Sequence, residues 1–589
     1  MDLNKRYHDL DALRAFAMLL GIALHGFCSF FPLPIWPAQD AYKPEIILPE
    51  SYVQFFNSIG FEIAGSFNPF LVGLTSVHGF RMQLFFLISG FFAAMLIKKR
   101  GLKNLFRHRF KRIFIPLIIS VPIVWMTLIP VSIYGGIKKH QVREILNQDK
   151  DLNSIFDAAR SGDLELIKKI STEDKSAVNQ QSADGTTPLI SACSFGRNEA
   201  VNLLISLGAE LDKKNLEGST AISVAVFFGY PEIVSNLIRE GADFNIKSKD
   251  GSTPLDIALA PWEDIKPYYD WVGSMMASEG LKLDYERIQS VRPSIVDLLK
   301  EKDAVHGSTN KEEADLGMLL YILFFAPVFH HLWFLYYLLW LVLALISFVW
   351  INRKLSLLKR VPDVLITTPL CLVVLLPLTL LVQRMMPDEF GPVTAPGLLP
   401  WPPLLLYYGV FFMFGALCYG RERFESIFNR SWPLLLGLAL PCLLLGLALQ
   451  SGNGKGTILF SICAVLFVWL MIFGLIGLFR AFFSSEDKQI RYVSDSSYWL
   501  YISHLPLMMF FQALVSTWHF SPYLKCLMIC CFTVIPLMLM YRYSVRYTFI
   551  GTMLNGKRHK PLTNLIFFTL ELEAFLFFLR LLSDSNCLD

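Results

Sequence analysis

Ten apolar runs, each about 20 residues long, constrain this chain more than any other feature of its sequence. A helix of roughly 20 apolar residues crosses the hydrocarbon core of a bilayer. Hydrophobic residues make up 54% of the chain and charged residues only 17%, which excludes an ordinary soluble protein. The sequence therefore predicts an all-α, polytopic membrane helix bundle of about ten transmembrane helices. The runs cover residues 12–32, 79–97, 113–134, 330–351, 364–382, 403–420, 432–450, 457–479, 497–517 and 521–541.

Two further apolar segments carry polar interruptions. Residues 55–75 contain Glu62, Asn68 and Pro69, which favours a re-entrant or interfacial segment. Residues 562–582 contain two glutamates near their middle, which favours an interfacial helix. An eleventh span is the alternative for this second segment.

Basic residues between the runs predict the orientation in the membrane. Residues 98–112 hold eight Lys and Arg and no acid, whereas residues 33–78 hold one Lys and four acids. Because short cytoplasmic loops carry the excess of Lys and Arg, residues 98–112 are predicted to be cytoplasmic. Counting the spans from there places the basic loops 353–360, 421–430 and 542–560 on the same, cytoplasmic side. Both termini are then cytoplasmic, and the long insert after the third span is extracytoplasmic.

The insert contains a repeat of 33 residues. The segments DGTTPL, EGSTAI and DGSTPL begin at Asp184, Glu217 and Asp250. They resemble the ankyrin repeat, in which a turn glycine precedes a T-P-L-x-x-A helix start. Residues 151–172 resemble an amino-terminal pair of capping helices, and residues 262–303 resemble a divergent carboxy-terminal cap.

This pattern predicts an ankyrin-repeat α-solenoid over residues 151–303, between the third and fourth spans of a bundle formed by residues 1–137 and 316–589. Residues 138–315 hold 21 basic and 30 acidic side chains, so the insert is acidic and the membrane part is basic. That basicity lies in short loops, where it sets topology, so no nucleic-acid partner is predicted. The concave face of a solenoid favours a protein or glycan partner, and a rigid spacer is the alternative. No residues of the repeats form a catalytic constellation.

The first span carries two ionisable side chains, Arg14 and His25. His25 follows Arg14 by eleven positions, about 16 Å along a helix, which places His25 near or past the midplane of the membrane. Ionisable groups inside a membrane are costly and indicate functional sites, and an imidazole can take a hydroxyl proton near neutral pH. A histidine that merely hydrogen-bonds a neighbouring helix is the alternative. No Cys or His cluster has the spacing of metal ligands, so no metal site is predicted.

The pattern LDALRA…LHGF, with ten residues between Arg14 and His25, resembles the acyltransferase-3 family of membrane enzymes. FFLISGFF (85–92), the RxxR of Arg109 and Arg112, HLWFL (331–335) and SSYWLYISHLPL (496–507) resemble it in the same order. HGFRM (78–82) and IGTMLNGKR (550–558) resemble, more narrowly, the glucans biosynthesis protein C branch of that family. The ankyrin insertion departs from the family pattern, which leaves the acceptor open.

The resemblance implies transfer of an acetyl or succinyl group from cytoplasmic acyl-CoA to a hydroxyl of an extracytoplasmic carbohydrate such as a glucan. It implies an integral protein of a bacterial inner membrane, with acyl-CoA as a substrate and no permanently bound cofactor. His25, Arg14 and His504 are the candidate catalytic residues. His25 would act as the general base or carry the acyl group transiently. Arg14 would hold the pyrophosphate or the thioester arm, with an interfacial snorkelling arginine as the alternative.

The remaining candidates bind the two substrates. Arg107, Arg109 and Arg112 offer phosphate donors to acyl-CoA, and topological charge is the alternative for them. His78, Arg81, His330 and His331 are predicted to begin the second and fourth spans on the outer side, where they bind the acceptor or a charged acyl end. Anchoring at the interface is an equal alternative for these four. Tyr498, Trp499 and Tyr501 are predicted to be interfacial anchors.

Two other functions compete with the enzyme. A transporter for a polar or lipid-linked solute would line its path with the same His and Arg residues, but the spans show no inverted repeat. A membrane scaffold acting only through its ankyrin face would leave His25 and His504 without a role.

Overall fold

The computed structural model is helical and divides into two compact units. One unit comprises Met1–Lys139 with Tyr321–Asp589, and the other comprises His140–Leu320. The structure describes residues 7–31, 36, 38–58, 65–149, 154–182, 185–215, 217–249, 251–277, 283–307, 319–320, 323–355, 362–387, 389–394, 396–421, 430–451 and 455–555. In this part of the chain, β1 (Ile46–Ile47) and β2 (Ser66–Phe67) form a two-stranded antiparallel sheet, with Ile46 opposite Phe67.

The described helices follow one another in chain order. Before the repeats lie α1 (His8–Phe27), α2 (Glu50–Ser58), α3 (Pro69–Arg100), α4 (Leu102–Arg109) and α5 (Ile115–Asp149). The insert holds α6 (Ile155–Ser161), α7 (Leu164–Glu173), α8 (Pro188–Ser194), α9 (Asn198–Ser206), α10 (Ala221–Phe227), α11 (Pro231–Arg239), α12 (Pro254–Leu259), α13 (Trp262–Ala277) and α14 (Tyr285–Glu301). After it lie α15 (Trp333–Leu355), α16 (Val364–Thr367), α17 (Cys371–Gln383), α18 (Pro402–Cys418), α19 (Trp432–Ser451), α20 (Ile458–Phe482), α21 (Lys488–Val515), α22 (Pro522–Met540) and α23 (Phe549–Asn555).

The prediction of an all-α polytopic membrane bundle is confirmed. Within the described residues, eight helical segments are long and apolar enough to cross a membrane. They correspond to eight of the ten predicted runs. The other two runs correspond to the shorter apolar helices α17 and α18, of 13 and 17 residues.

The second span begins earlier than the sequence analysis predicted. The Asn68 side chain caps α3 by accepting a hydrogen bond from the Phe70 N–H at 2.9 Å, and Pro69 occupies the first helical turn. Residues 69–75 therefore belong to the long helix α3, and their assignment to a re-entrant or interfacial segment was wrong. Asn and Pro at these positions start a helix rather than interrupt one. Residues 59–64 and the predicted interfacial helix at 562–582 lie outside the described residues.

Helices α3 and α18 approach each other at the level of their backbones. A Cβ atom added to Gly90 would lie 1.9 Å from the Phe412 carbonyl oxygen, and one added to Gly415 would lie 1.9 Å from that of Leu87. Small residues allow such close approach between membrane helices, where packing rather than water exclusion drives association. This contact fixes the position of α3, which carries two of the candidate site residues.

The insert forms the predicted helical repeats. Equivalent apolar residues 33 positions apart are buried in one core, as shown by Leu189, Ile222 and Leu255, which are at most 2% exposed. The Thr187 side chain caps α8 by accepting a hydrogen bond from the Ile190 N–H, which explains the threonine before each Pro-Leu or Ala-Ile. Helices α6 and α7 form the predicted amino-terminal pair, and α13 and α14 follow the third repeat.

Candidate active site

One face of α1 carries a line of residues along which the candidate site is built. Arg14, Met18, Gly21 and His25 are spaced four, three and four residues apart, so they lie above one another on the helix surface. His25 lies in the last turn of α1, near the point where the helix ends at Phe27. The line therefore extends from Arg14 to His25 over about 16 Å.

His25 forms a hydrogen-bonded pair with His504 of α21. His25 Nδ1 lies 2.8 Å from His504 Nε2, and the two rings are nearly parallel. His504 Nδ1 lies 3.0 Å from the Leu500 carbonyl oxygen and 2.9 Å from that of Tyr501. A carbonyl accepts hydrogen bonds only, so His504 Nδ1 carries the proton and, in the neutral ring, its Nε2 accepts. His25 Nδ1 is then the donor, and the lone pair of His25 Nε2 is available for chemistry.

The two rings of this pair differ in their access to solvent. His504 is only 2% exposed, whereas His25 is partly exposed. His504 is therefore the inner partner, fixed on the backbone of its own helix, and His25 is the ring that an incoming molecule can reach.

A third histidine completes the cluster. The ring centroid of His331 lies 5.1 Å from that of His504 and 6.5 Å from that of His25. His331 Nε2 donates to the Tyr501 carbonyl oxygen at 3.1 Å, and the Tyr501 hydroxyl donates to the His331 carbonyl oxygen. His331 Nδ1 is buried and has no hydrogen-bond partner among the described residues. Its neighbour His330 has a φ of 42°, a left-handed conformation that is uncommon for residues other than glycine.

Arg81 brings a positive charge beside this cluster. Its NH1 occupies a recess at Gly21, where an added Cβ atom would lie only 1.6 Å away. The side chain is 8% exposed, and its Nε has no hydrogen-bond partner in the described part of the chain. No carboxylate of that part forms an ion pair with it. A buried guanidinium without a counter-ion is an unfavourable arrangement for a protein alone, and an anionic ligand would relieve it.

A second group of arginines lies at the other end of the line. Arg14 NH2 donates to the Ser494 hydroxyl at 2.7 Å and lies 3.4 Å from an Asp11 carboxylate oxygen. Arg112 Nε donates to the Leu554 carbonyl oxygen at 3.1 Å. The positive charges of three arginines repel one another here, those of Arg14, Arg109 and Arg112.

Several buried polar atoms of this second group lack partners among the described residues. They are Arg14 Nε, Arg109 Nε, His108 Nδ1 and the Tyr498 hydroxyl. Each is able to donate a hydrogen bond, since one nitrogen of a neutral imidazole carries a proton. Donors that converge with several positive charges fit a phosphorylated anion.

The loop after α1 is anchored beside the histidines by a buried ion pair. Asp40 and Lys525 are at most 1% exposed, and the Lys525 ammonium donates to both carboxylate oxygens at 2.9 Å. Burial raises the pKa of Asp40 to about 6, because the loss of water outweighs the attraction of the ammonium. Trp36 of the same loop lies parallel to the His25 ring, with centroids 6.4 Å apart and planes 10° apart.

Comparison with known proteins shows the family of this chain. A family model described as an acyltransferase domain, Acyl_transf_3, matches residues 7–137 and 283–542, about two thirds of the chain. The chain belongs to the acyltransferase-3 family. A model of three ankyrin repeats matches residues 155–250. Both predicted resemblances are therefore confirmed, and the predicted enzyme class is confirmed at the level of the family.

Curated relatives of this acyltransferase-3 protein share a shorter region. Glucans biosynthesis protein C of Escherichia coli strain SMS-3-5 is 31% identical over 120 residues, 20% of this chain and 25% of the relative. The protein of the same name from Salmonella typhi is 30% identical over 119 residues, with the same coverage. The chain thus spans about a quarter of the length of the curated relatives it matches.

The second family match begins inside the repeat unit. It starts at residue 283, whereas α14 has Ile295 and Leu299 fully buried in the core of the repeats. In this acyltransferase-3 protein, α14 therefore packs as the last helix of the solenoid.

The structure brings some candidate residues together and separates others. His25, His504, His331 and Arg81 form one cluster. His78 does not begin its span, because α3 starts nine residues earlier, and its Nε2 donates instead to the Pro392 carbonyl oxygen at 2.8 Å. Arg81 likewise lies inside α3, where it is buried against Gly21 of α1.

The tyrosine and arginine predictions also need correction. Tyr501 is 7% exposed and bonds His331, so its assignment as an interfacial anchor was wrong. Arg109 and Arg112 lie in the group around Arg14, but Arg107 is exposed. The i, i+3 spacing of RxxR places Arg109 and Arg112 on one helix face and turns Arg107 away from it.

Two residues beside the cluster were missed by the sequence analysis. Gln512 is 1% exposed and contacts both His25 and Trp36 through its amide. A glutamine inside an apolar run was a usable signal, because a buried amide needs partners. Trp36 carried no such signal in a loop rich in proline and aromatic residues.

Proposed function

We propose that this integral membrane protein transfers an acyl group from acyl-CoA, bound at the cytoplasmic face, to a hydroxyl of an extracytoplasmic carbohydrate. The observation that carries the proposal is the His25–His504 pair, which leaves an accessible lone pair on His25 Nε2. The histidine pair lies at one end of the α1 line. Arginine N–H groups without hydrogen-bond partners among the described residues lie at the other end. The name of the curated relatives, glucans biosynthesis protein C, supports a glucan as the acceptor.

The geometry supports a direct transfer. His25 Nε2 takes the proton of the acceptor hydroxyl while the oxygen attacks the thioester carbon, so that a C–O bond forms and the C–S bond breaks. The CoA sulfur leaves with the electron pair and then takes the proton from His25. His504 Nε2 keeps accepting the hydrogen bond of His25 Nδ1, which orients the ring and stabilises its protonated form.

Arg81 supplies the preference for the acyl group. It lies against Gly21, one helical turn from His25 and on the side of Arg14. Its charge has no carboxylate partner among the described residues. An acetyl group has no carboxylate and would not provide one. The distal carboxylate of a succinyl group would form a charge-assisted pair with it. Arg81 therefore favours succinyl over acetyl transfer.

The arginine group around Arg14 binds the donor. Its unpartnered donors suit the phosphates of acyl-CoA, and the α1 line gives the thioester arm a path of about 16 Å towards His25. Arg109 acts here through hydrogen bonds to phosphate, and Arg112, whose nitrogens donate to Leu554 and His108, acts through its charge. The exposed Arg107 contributes long-range attraction only.

The ankyrin repeats act outside the membrane in this proposal. The excess of Lys and Arg in residues 98–112 supports a position on the side opposite the cytoplasm. An acidic solenoid with a concave face is suited to binding a protein or glycan partner. The partner would hold or present the acceptor.

Label transfer in oriented membrane vesicles tests the function. Vesicles receive acyl-labelled succinyl-CoA on the cytoplasmic side and a glucan on the other, and labelled glucan is counted. His25→Ala is expected to lower the rate by a factor of about 10²–10⁴, the usual contribution of a general base. His519→Ala is the matched control, because His519 is exposed and, among the described residues, its ring forms a hydrogen bond only with the Tyr42 hydroxyl. Transfer that survives His25→Ala at normal protein level would refute the mechanism.

A further inference from the structure

Gln512 uses every hydrogen-bonding group of its side chain at the end of α1. It lies on α21, eight residues after His504, and is 1% exposed. Its Nε2 donates to the His25 carbonyl oxygen at 2.8 Å and to that of Gly26 at 3.3 Å. Its Oε1 accepts from Trp36 Nε1 at 3.2 Å. One amide therefore connects the backbone of His25 to the indole that faces its ring.

The two carbonyl groups belong to the last turn of α1, where the regular helical hydrogen bonds end. The His25 carbonyl oxygen also accepts from the Cys28 N–H. Gln512 adds a side-chain donor to both carbonyl groups and so reinforces the helix end at His25. A buried amide with both its donors and its acceptor engaged has little freedom to move.

Trp36 lies parallel to the same ring, with centroids 6.4 Å apart. Its plane lies 10° from that of His25, and its Nε1 is held by Gln512. Its loop is anchored independently by the Asp40–Lys525 pair and by hydrogen bonds from Asp40 N to the Ser29 carbonyl oxygen and from Ala41 N to that of Ser516. His25 is thus held by His504 at Nδ1 and by Gln512 at its backbone, and Trp36 flanks its ring.

We infer that Gln512, acting with Trp36, is a positioning residue that sets the orientation of the His25 imidazole for proton transfer. The inference rests on the proposed function for its effect on rate, but the geometry it describes exists without any substrate. A misplacement of about 1 Å can lower the rate of an enzyme about 100-fold. The loss should appear in kcat, because neither residue lies at the donor-binding arginines.

Three single variants of the full chain, and the double variant of the first two, test the inference. Gln512→Met keeps the length of the side chain and removes all three hydrogen bonds. Trp36→Phe removes only the indole N–H and part of the facing ring, at a half-buried position where folding is least at risk. Trp499→Phe is the matched control on the same helix, since Trp499 Nε1 donates to the Leu537 carbonyl oxygen at 3.1 Å, outside the His25 contacts.

Two measurements are made on each variant. Steady-state transfer is expected to show a kcat about 30- to 100-fold lower in Gln512→Met and Trp36→Phe, with KM for acyl-CoA within about twofold of wild type. The double variant is expected to be no slower than the slower single variant, because both break one connection. Carbethoxylation of His25 by diethyl pyrocarbonate without substrates, followed by peptide mass spectrometry, is expected to be faster in both variants than in Trp499→Phe.

The second measurement separates the inference from the proposed function. If wild-type protein transfers no acyl group, the proposed function fails, and the carbethoxylation rates still test the role of Gln512. The inference is overturned if both variants leave the reactivity of His25 unchanged. It is also overturned if their effects on kcat multiply in the double variant, or if Trp499→Phe reduces kcat as much as they do.

Discussion

The substitution Gly21→Ala tests the placement of Arg81 without altering its charge. A Cβ atom at position 21 would lie 1.6 Å from Arg81 NH1 and 2.9 Å from its Cζ, whereas ordinary contact begins at 3.4 Å. The NH1 atom must therefore move by 3.4 − 1.6 = 1.8 Å. The end of an arginine can move this far, so the helix should persist. Alanine also favours a helix over glycine by about 1 kcal/mol.

The displacement predicts a loss of transfer rather than a loss of fold. Misplacement of a substrate-positioning group by about 1 Å can cost about 100-fold in rate, equivalent to about 2.7 kcal/mol at 1.36 kcal/mol per factor of ten. If Arg81 pairs with a distal carboxylate, succinyl transfer should fall by about this factor, while acetyl transfer changes less. The measurement is kcat/KM for succinyl-CoA and for acetyl-CoA in the same vesicles.

Gly437→Ala provides the control for the added methyl group. Gly437 also lies in a membrane helix, α19, but a Cβ atom there would meet nothing within 4 Å. Alanine raises the helix preference equally in both variants. A difference in kcat/KM between them therefore reports the contact of residue 21 with Arg81. Equal kcat/KM values for the two variants would show that Arg81 does not act from the recess at Gly21.

Three further predictions concern the donor end, the buried ion pair and the repeats. Arg14→Ala is expected to raise KM for acyl-CoA about tenfold or more, the value of one or two charge-assisted hydrogen bonds, with a smaller change in kcat. Lys525→Met leaves the Asp40 carboxyl buried without its partner and should cost about 3 kcal/mol, measured by thermal unfolding in detergent. For Asp256, burial alone would raise the pKa, but hydrogen bonds from Thr253, His306 and the Gly307 N–H hold it below its usual range. The Asp256 carboxylate therefore stabilises the folded repeats at pH values above its unfolded-state pKa. This stabilisation is lost as the pH falls through the lower folded-state pKa. Hydrogen exchange of residues 253–259, compared between wild type and Asp256→Asn, should show the loss.

The elements of this protein were readable from sequence because their signals are local. A run of 20 apolar residues or a glycine every 33 residues needs no knowledge of distant contacts. The start of α3 was missed for a different reason. Inside an apolar segment Asn68-Pro69 resembles an interruption, although the same pair is a helix-start signal when a long apolar run follows it.

The site was only partly readable. His25 and His504 stood out as ionisable residues within apolar runs, but their separation of 479 positions concealed the hydrogen bond between them. The proton positions depend on the carbonyl groups of Leu500 and Tyr501, which no sequence pattern records. Arg81 was assigned to the outer end of a span. Its recess at Gly21 exists because α1 lacks a side chain there, and this requires both helices at once.

The side of the membrane on which the repeats lie can be tested by labelling single cysteines. Cys193 cannot report it, since its thiol is 0% exposed and burial raises its pKa further above the range in which it reacts. Glu240→Cys places a thiol at an exposed position of the repeats, and Lys99→Cys places one in the basic segment 98–112.

In cells with a permeabilised outer membrane, a membrane-impermeant maleimide should react with Glu240→Cys, while Lys99→Cys reacts only after lysis. Wild-type protein gives the background from its own cysteines, including the partly exposed Cys442, Cys530 and Cys531. The reverse pattern would place the repeats in the cytoplasm and overturn the charge argument. It would also move them to the side of the arginine group, where an acidic solenoid could not present a carbohydrate acceptor to His25.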